Sequence, residues 1–314
     1  MIPAIPMQVM VEMAQRRRRF HHYLWHRVRN SWLRLTEGDR RAICDINPAW
    51  VPPRPALDAT RRPMRDNDSG EDFLFMQRRM IEFADDILAG VGDPAYPRVE
   101  GWRRVPPPGD ADYPVPEFPE SELEEVKSAG YFEQVIAPWE RQYNNPSYLS
   151  GVTLGQLGSD LEFTIYCTMH VRWAAPSLVG YRPSTVTKEE VGREWDEPAY
   201  DFLGDTYSNH VNPLFWKIHG WVDDRVENWR RVHGISGDIQ WKGTWTGPEV
   251  RQGGADEARS GTSQISSAPG ETFEDFWRID QIISASAAGE FDGFFRPLSQ
   301  RTRLTSHVPL KSSW

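Results

Sequence analysis

Among the polar side chains four residues apart in this chain, three pairs stand out for the chemistry they could do: His219 with Asp223, Tyr166 with His170, and His22 with His26. On an α-helix, residues i and i+4 share a face, so each pair would present its two groups side by side. A carboxylate beside an imidazole can orient it, and imidazoles with a phenolate can hold a metal ion. Cys167 follows Tyr166 directly and would be a nucleophile if His170 or Tyr166 depressed its pKa. Glu162, Asp223 and Asp224 offer carboxyls for general acid–base work. Each has a plainer use. His170 and His219 read somewhat more readily as satisfied core histidines than as metal ligands, and Cys167 as a small buried hydrophobe. His22 and His26 lie among Arg16–Arg19, Arg27 and Arg29, which disfavour a bound cation and point to a helix surface. His210 is either an exposed loop histidine or a third donor that swings toward His219.

The elements that must position these residues are helices. Met10 to Leu35 carries Phe20, Leu24, Val28, Trp32 and Leu35 at helical spacing, and Thr36 to Asp39 reads as a cap before a short helix through Ile43. Asp72 to Leu88 places Phe73, Met76, Met80, Phe83 and Ile87 on one face and ends at Gly90. Ser121 to about Tyr143 is helical with interruptions near Gly130 and Pro138. Leu157 to Trp173 and Pro213 to Val232 are strong helices, the second with proline in its first turn and Gly234 after its end. Thr272 to Ala287 is amphipathic through Phe273, Phe276, Trp277, Ile279 and Ile283. Residues 47–66 and 91–120 are Pro-rich connections, and residues 251–270 have the small-residue composition of a mobile loop. The expected fold class is mainly α, a helical bundle with long Pro-rich irregular loops. Residues 1–250 make the helical domain, and residues 271–314 a C-terminal helix and tail packed on it.

The run Asn212-Pro-Leu-Phe-Trp-Lys-Ile-His219-Gly-Trp-Val-Asp223 resembles the second copper motif of tyrosinases and catechol oxidases. Pro213, Phe215, Trp216, His219 and Asp223 fall in register, with Asn212 in place of the usual Asp. Leu161 to Trp173 is similar to the helix that gives that family two copper-binding histidines at i and i+4. Here the second is His170, the first position is Tyr166, and the following Asn is Cys167. Phe73, Leu74 and Arg78 match the first copper motif, but its ligand position is Gln77 and the aromatic before it is Met76. An amide is a poor copper ligand beside imidazole. No histidine lies between His26 and His170, the interval from which a standard first copper site would draw its ligands. Of the family's six ligands, His170 and His219 remain at matching positions.

The resemblance therefore implies a tyrosinase-like scaffold whose dicopper site is dismantled. It implies a tailoring enzyme for a phenolic or peptide-like secondary metabolite. The expected catalytic residues are Tyr166, His170, His219 and Cys167, and Gln77, Arg78, His210 and Trp216 bind substrate. No cofactor is expected; copper at a single weak site, held by His170 and His219, is the alternative. A further alternative is a non-catalytic binding or assembly protein, with a second copy or another protein as partner. An open pocket reaching Tyr166, His170 and His219 would favour the enzyme, and a filled one the partner protein.

Composition bounds these readings. With 39% hydrophobic and 26% charged residues, 314 residues can bury a sizeable core. A formal net charge of −9 argues against nucleic acid, leaving Arg16–Arg19 as a solvated helix face or interface arm. Two cysteines, Cys44 and Cys167, build no disulfide framework. No apolar run has the length of a membrane span and the N-terminus has no leader pattern, so the expected address is cytoplasmic. Fourteen tryptophans suggest a core of large flat side chains.

Overall fold

Local capping rules account for several helix starts in the computed structural model, which describes residues 5–117, 121–175, 193–243, 245 and 273–286. Helix α1 is Met7–Met13, α2 is Arg16–Ser31, α3 is Glu37–Ile46 and α4 is Ser69–Val91. Next come α5 (Ser121–Lys127), α6 (residues 129–143), α7 (Pro146–Ser150) and α8 (residues 154–173), then α9 (Pro213–Val232) and α10 (Phe273–Ala285). Among the described residues there is no strand, only an isolated bridge between Leu57 and Pro63. The fold is mainly α. The C-terminal tail from 287 onward and the segment expected to be a mobile loop, 251–270, lie outside the described residues.

Caps and prolines act as the sequence predicts at several places. Thr36 and Asp39 form a reciprocal capping box at the start of α3, and Thr153 with Gln156 does the same for α8. Asn212 accepts from the Leu214 N–H and Pro213 takes the first turn of α9. Elsewhere the helices differ from the periodic pattern. The single helix expected from Met10 to Leu35 is broken at Ala14–Gln15. Gln15 is extended there, and Arg19 Nε donates to the Ala14 carbonyl at 2.8 Å, satisfying the acceptor that the break frees. Helix α4 runs on to Gly92, whose φ of 69° ends it, instead of stopping at Gly90. The interruption expected near Gly130 and Pro138 falls at Ser128, whose side chain caps Tyr131; α6 then continues through a wide π turn, Phe132–Ile136, that precedes Pro138.

Helices α4 and α8 pack at backbone contact. A Cβ on Gly158 would strike the backbone of Gly70, and one on Gly70 would strike Gly155 and Ser159, so only glycine permits this crossing. Arg78 of α4 reaches across to Asp223 at 2.8 Å and Glu227 at 2.7 Å, tying α4 to α9. Helix α2 threads the interior: from Arg19 to Ser31 nearly every residue is buried, including Arg27 and Arg29. Arg27 pairs with Asp280 of α10 at 3.1 Å, and Arg29 with Glu162 of α8 at 2.8 Å. Phe276, Ile279 and Ile283 bury the apolar face of α10 against α2 and α3. No helix among the described residues is long and apolar enough to cross a membrane.

Candidate functional site

Five imidazoles from four parts of the chain meet in the interior. His22 and His26 come from α2, His170 from α8, His210 from the turn Asn209–Val211 that leads into α9, and His219 from α9 itself. Their exposures are 2%, 3%, 0%, 1% and 0%. Ring centroids lie 4.9 Å apart for His22–His26, 4.8 Å for His22–His210 and 5.6 Å for His170–His219. Phe215, one turn before His219, stacks on it and touches His22, His170 and His210 edge-on, so four of the five rings share one aromatic wall.

Three of these rings are pinned by backbone. His22 Nδ1–H donates to the Thr206 carbonyl at 2.8 Å, His170 Nδ1–H to Leu203 at 3.0 Å, and His210 Nε2–H to Met13 at 3.1 Å. A carbonyl only accepts, so each bond places the proton on the anchored nitrogen and leaves a lone pair on the other. The break between α1 and α2 is what brings the Met13 carbonyl to His210. Nε2 of His22, Nδ1 of His210 and Nδ1 of His219 are buried and meet no hydrogen-bond partner among the described residues. Leaving such an atom unmet costs about 1–3 kcal/mol.

Burial keeps the cluster neutral. It lowers the pKa of His22 to about 4 and that of His170 to about 3. His26, His210 and His219 lie well below the usual histidine value, through burial first and then through neighbouring histidines. Neutral imidazole with one nitrogen held by a carbonyl is the form that binds transition metals. As they stand, no three His, Cys, Asp or Glu side chains among the described residues hold their donors close enough for a metal ion, so binding requires the side chains to draw together.

Tyr166 completes the group. Its hydroxyl is 3.2 Å from His219 Nε2, its ring packs on His170 at 4.6 Å and on Phe73 at 4.9 Å, and it is fully buried. Burial raises its pKa well above the usual phenol value, while Gln77 acts in the opposite sense, placing that buried amide beside the phenol. Tyr166 and His170 reach this place through a π turn in α8, Glu162–Tyr166, where a straight helix was expected from the spacing. The widened turn frees the Glu162 carbonyl, which accepts from Cys167 Sγ at 2.8 Å, and directs the Glu162 carboxylate onto Arg29.

The remaining sequence-predicted residues separate into those near the cluster and those elsewhere. Trp216 is buried beside Phe215, with ring centroids 5.0 Å apart. Arg78 is held by Asp223 and Glu227, so it clamps two helices, and Asp223 anchors α9 through Arg78 instead of orienting His219. Cys167 is half-buried and in no disulfide. Two expectations are corrected outright. His22 and His26 are not on a helix surface, because α2 runs through the interior and buries all its faces. His210 is not exposed, because α1 covers the turn that carries it. The spacing of His22 and His26 is legible in the sequence, but their burial beside arginines is not. Arg27 and Arg29 are neutralised by Asp280 and Glu162 respectively.

Tyr166, His170 and His219 are each 0% exposed. A separate cleft of about 570 Å³, lined by Thr153, Leu154, Trp229, His233 and Lys242 among others, lies outside the imidazole group. No protein-family model matches the chain, and no curated protein matches it.

Proposed function

We propose that the five histidines form a copper centre and that the chain is a tyrosinase-like oxidoreductase acting on a phenolic or peptide-like metabolite. The observation that carries the metal is the trio of carbonyl-anchored, neutral, buried imidazoles, with His26 and His219 beside them. An all-imidazole set without carboxylate suits copper or zinc and not magnesium, calcium or manganese, and copper binds nitrogen donors more tightly than zinc does. His22, His26 and His210 would hold the ion on one side, and His170 with His219 on the other. Copper would supply one-electron redox chemistry and oxygen activation. Tyr166 would hold a hydrogen bond on His219 Nε2, the Thr206, Leu203 and Met13 carbonyls would keep the protons of His22, His170 and His210 on the anchored nitrogens, and Phe215 would exclude water. The motif from Asn212 to Asp223 supports the substrate class by resemblance.

Metal content of the protein purified without chelator, followed by copper titration, tests this reading. The expected result is at least one equivalent of copper, cut to below about a tenth by His22→Ala with His219→Ala. Less than a tenth of an equivalent in the parent, with no titratable site, would overturn it. The complete burial of Tyr166, His170 and His219 favours a second reading, a non-catalytic protein in which the centre is structural. Oxygen uptake with a simple catechol separates the two: turnover lost on His170→Ala supports the oxidoreductase, and none in copper-loaded protein supports the alternative.

A further inference from the structure

Helix α1 carries methionine at every third position: Met7, Met10 and Met13. A step of three residues turns an α-helix by about 300°, so successive thioethers step back by about 60° around the axis while advancing about 4.5 Å. Burial follows that rotation. Met7 is 60% exposed, Met10 is half-buried and Met13 is 3% exposed. The line thus winds from solvent to the core, and the last turn of α1 borders the imidazole group, where the Met13 backbone carbonyl receives the His210 N–H. Ile5 and Val9 already seat the helix on the core, so an exposed methionine at position 7 is not needed for packing.

We propose that Met7, Met10 and Met13 form an entry site for monovalent copper, which passes inward along α1 to His210 and the other imidazoles. Residues three apart on one helix have Cβ atoms about 5–6 Å from each other, near enough for two flexible thioethers to close on an ion between them. Thioether sulfur is a soft neutral donor and selects cuprous ion over hard divalent cations. Arg16–Arg19 begin three residues further on and disfavour cations attracted by charge alone, which leaves donor softness as the basis of selection. Each transfer is an exchange of ligands: one thioether leaves as the next donor enters, and the oxidation state is unchanged. The destination rests on the copper reading above; the methionine site rests on its own sulfur chemistry.

The test uses the full chain with carbon-13 in its methionine methyl groups, titrated with silver ion as a redox-inert monovalent probe. The methyl signals of Met7, Met10 and Met13 are expected to shift before one equivalent is reached. In the Met7→Leu, Met10→Leu double variant, whose side chains have nearly the same volume, that response is lost. Arrival at the imidazoles of cuprous ion, supplied as its acetonitrile complex, then slows at least tenfold with final copper content unchanged. Unmoved α1 methyl signals, or a double variant that loads as fast as the parent, would overturn the proposal. Protein that takes no copper at its histidines sinks the copper centre, and the silver titration then still decides on the methionines.

Discussion

Histidine in water titrates near neutrality, and five histidines deprived of water do not. Because the folded-state pKa values lie below the ordinary value of 6.5, the unfolded chain binds more protons as pH falls through that value. Stability from the neutral imidazoles is therefore fully present above about pH 6.5 and is lost below it, down to about 4 for His22 and about 3 for His170. Each such group contributes about 1.4 kcal/mol per pH unit within its window. Urea midpoints are expected to drop steeply between pH 6.5 and 4, and His170→Leu should remove about one proton's worth of that slope. Glu162, whose pKa burial raises, acts in the opposite sense, so the histidine variant separates the two effects. A midpoint that stays level across this range, unchanged by His170→Leu, would contradict the burial of neutral rings.

At the scale of elements, two joints hold the helices that carry the cluster. The first is the Arg29–Glu162 pair, buried on both sides, in which Arg29 also donates to the Ser69 carbonyl at 2.8 Å. It links α2, α4 and the π turn of α8. Arg29→Met leaves a buried carboxylate alone and should cost about 3–5 kcal/mol in chemical denaturation, whereas adding Glu162→Gln should recover much of it. Equal losses in the single and double variants would mean that packing, not charge, sets the joint. The second is the glycine crossing. Gly158→Ala forces α4 and α8 apart and should cost about 1–3 kcal/mol, while Gly90→Ala, with open space around it, should be tolerated. The long helices were legible from period and caps; the break at Ala14–Gln15 and the short helix Pro146–Ser150 were not. The π turn was not, since Glu162 to Tyr166 continues the helical pattern of its flanks without a break.

For the whole molecule, copper held at the proposed imidazole centre would couple metal binding to stability. An ion that binds only the folded chain stabilises it by about 2.7 kcal/mol at a hundredfold excess over Kd. Thermal unfolding with copper should shift upward by several degrees, and the shift should vanish in the His22→Ala, His219→Ala double variant. Magnesium should produce none, since its ligands are oxygen.

The sequence by itself determined the mainly α architecture, the capped starts of α3 and α9, and the run from Asn212 to Asp223 with His219 on it. All are local: period, cap chemistry and motif spacing act within a few turns of helix. Only the tertiary structure decided that His22, His26 and His210 join His170 and His219. Met13 and His210 are separated by 197 positions, and His22 and Thr206 by 184. No local rule reports whether such positions meet or whether a histidine beside arginines is buried. Helix packing sets both, by neutralising Arg27 and Arg29 with distant carboxylates and turning α2 inward.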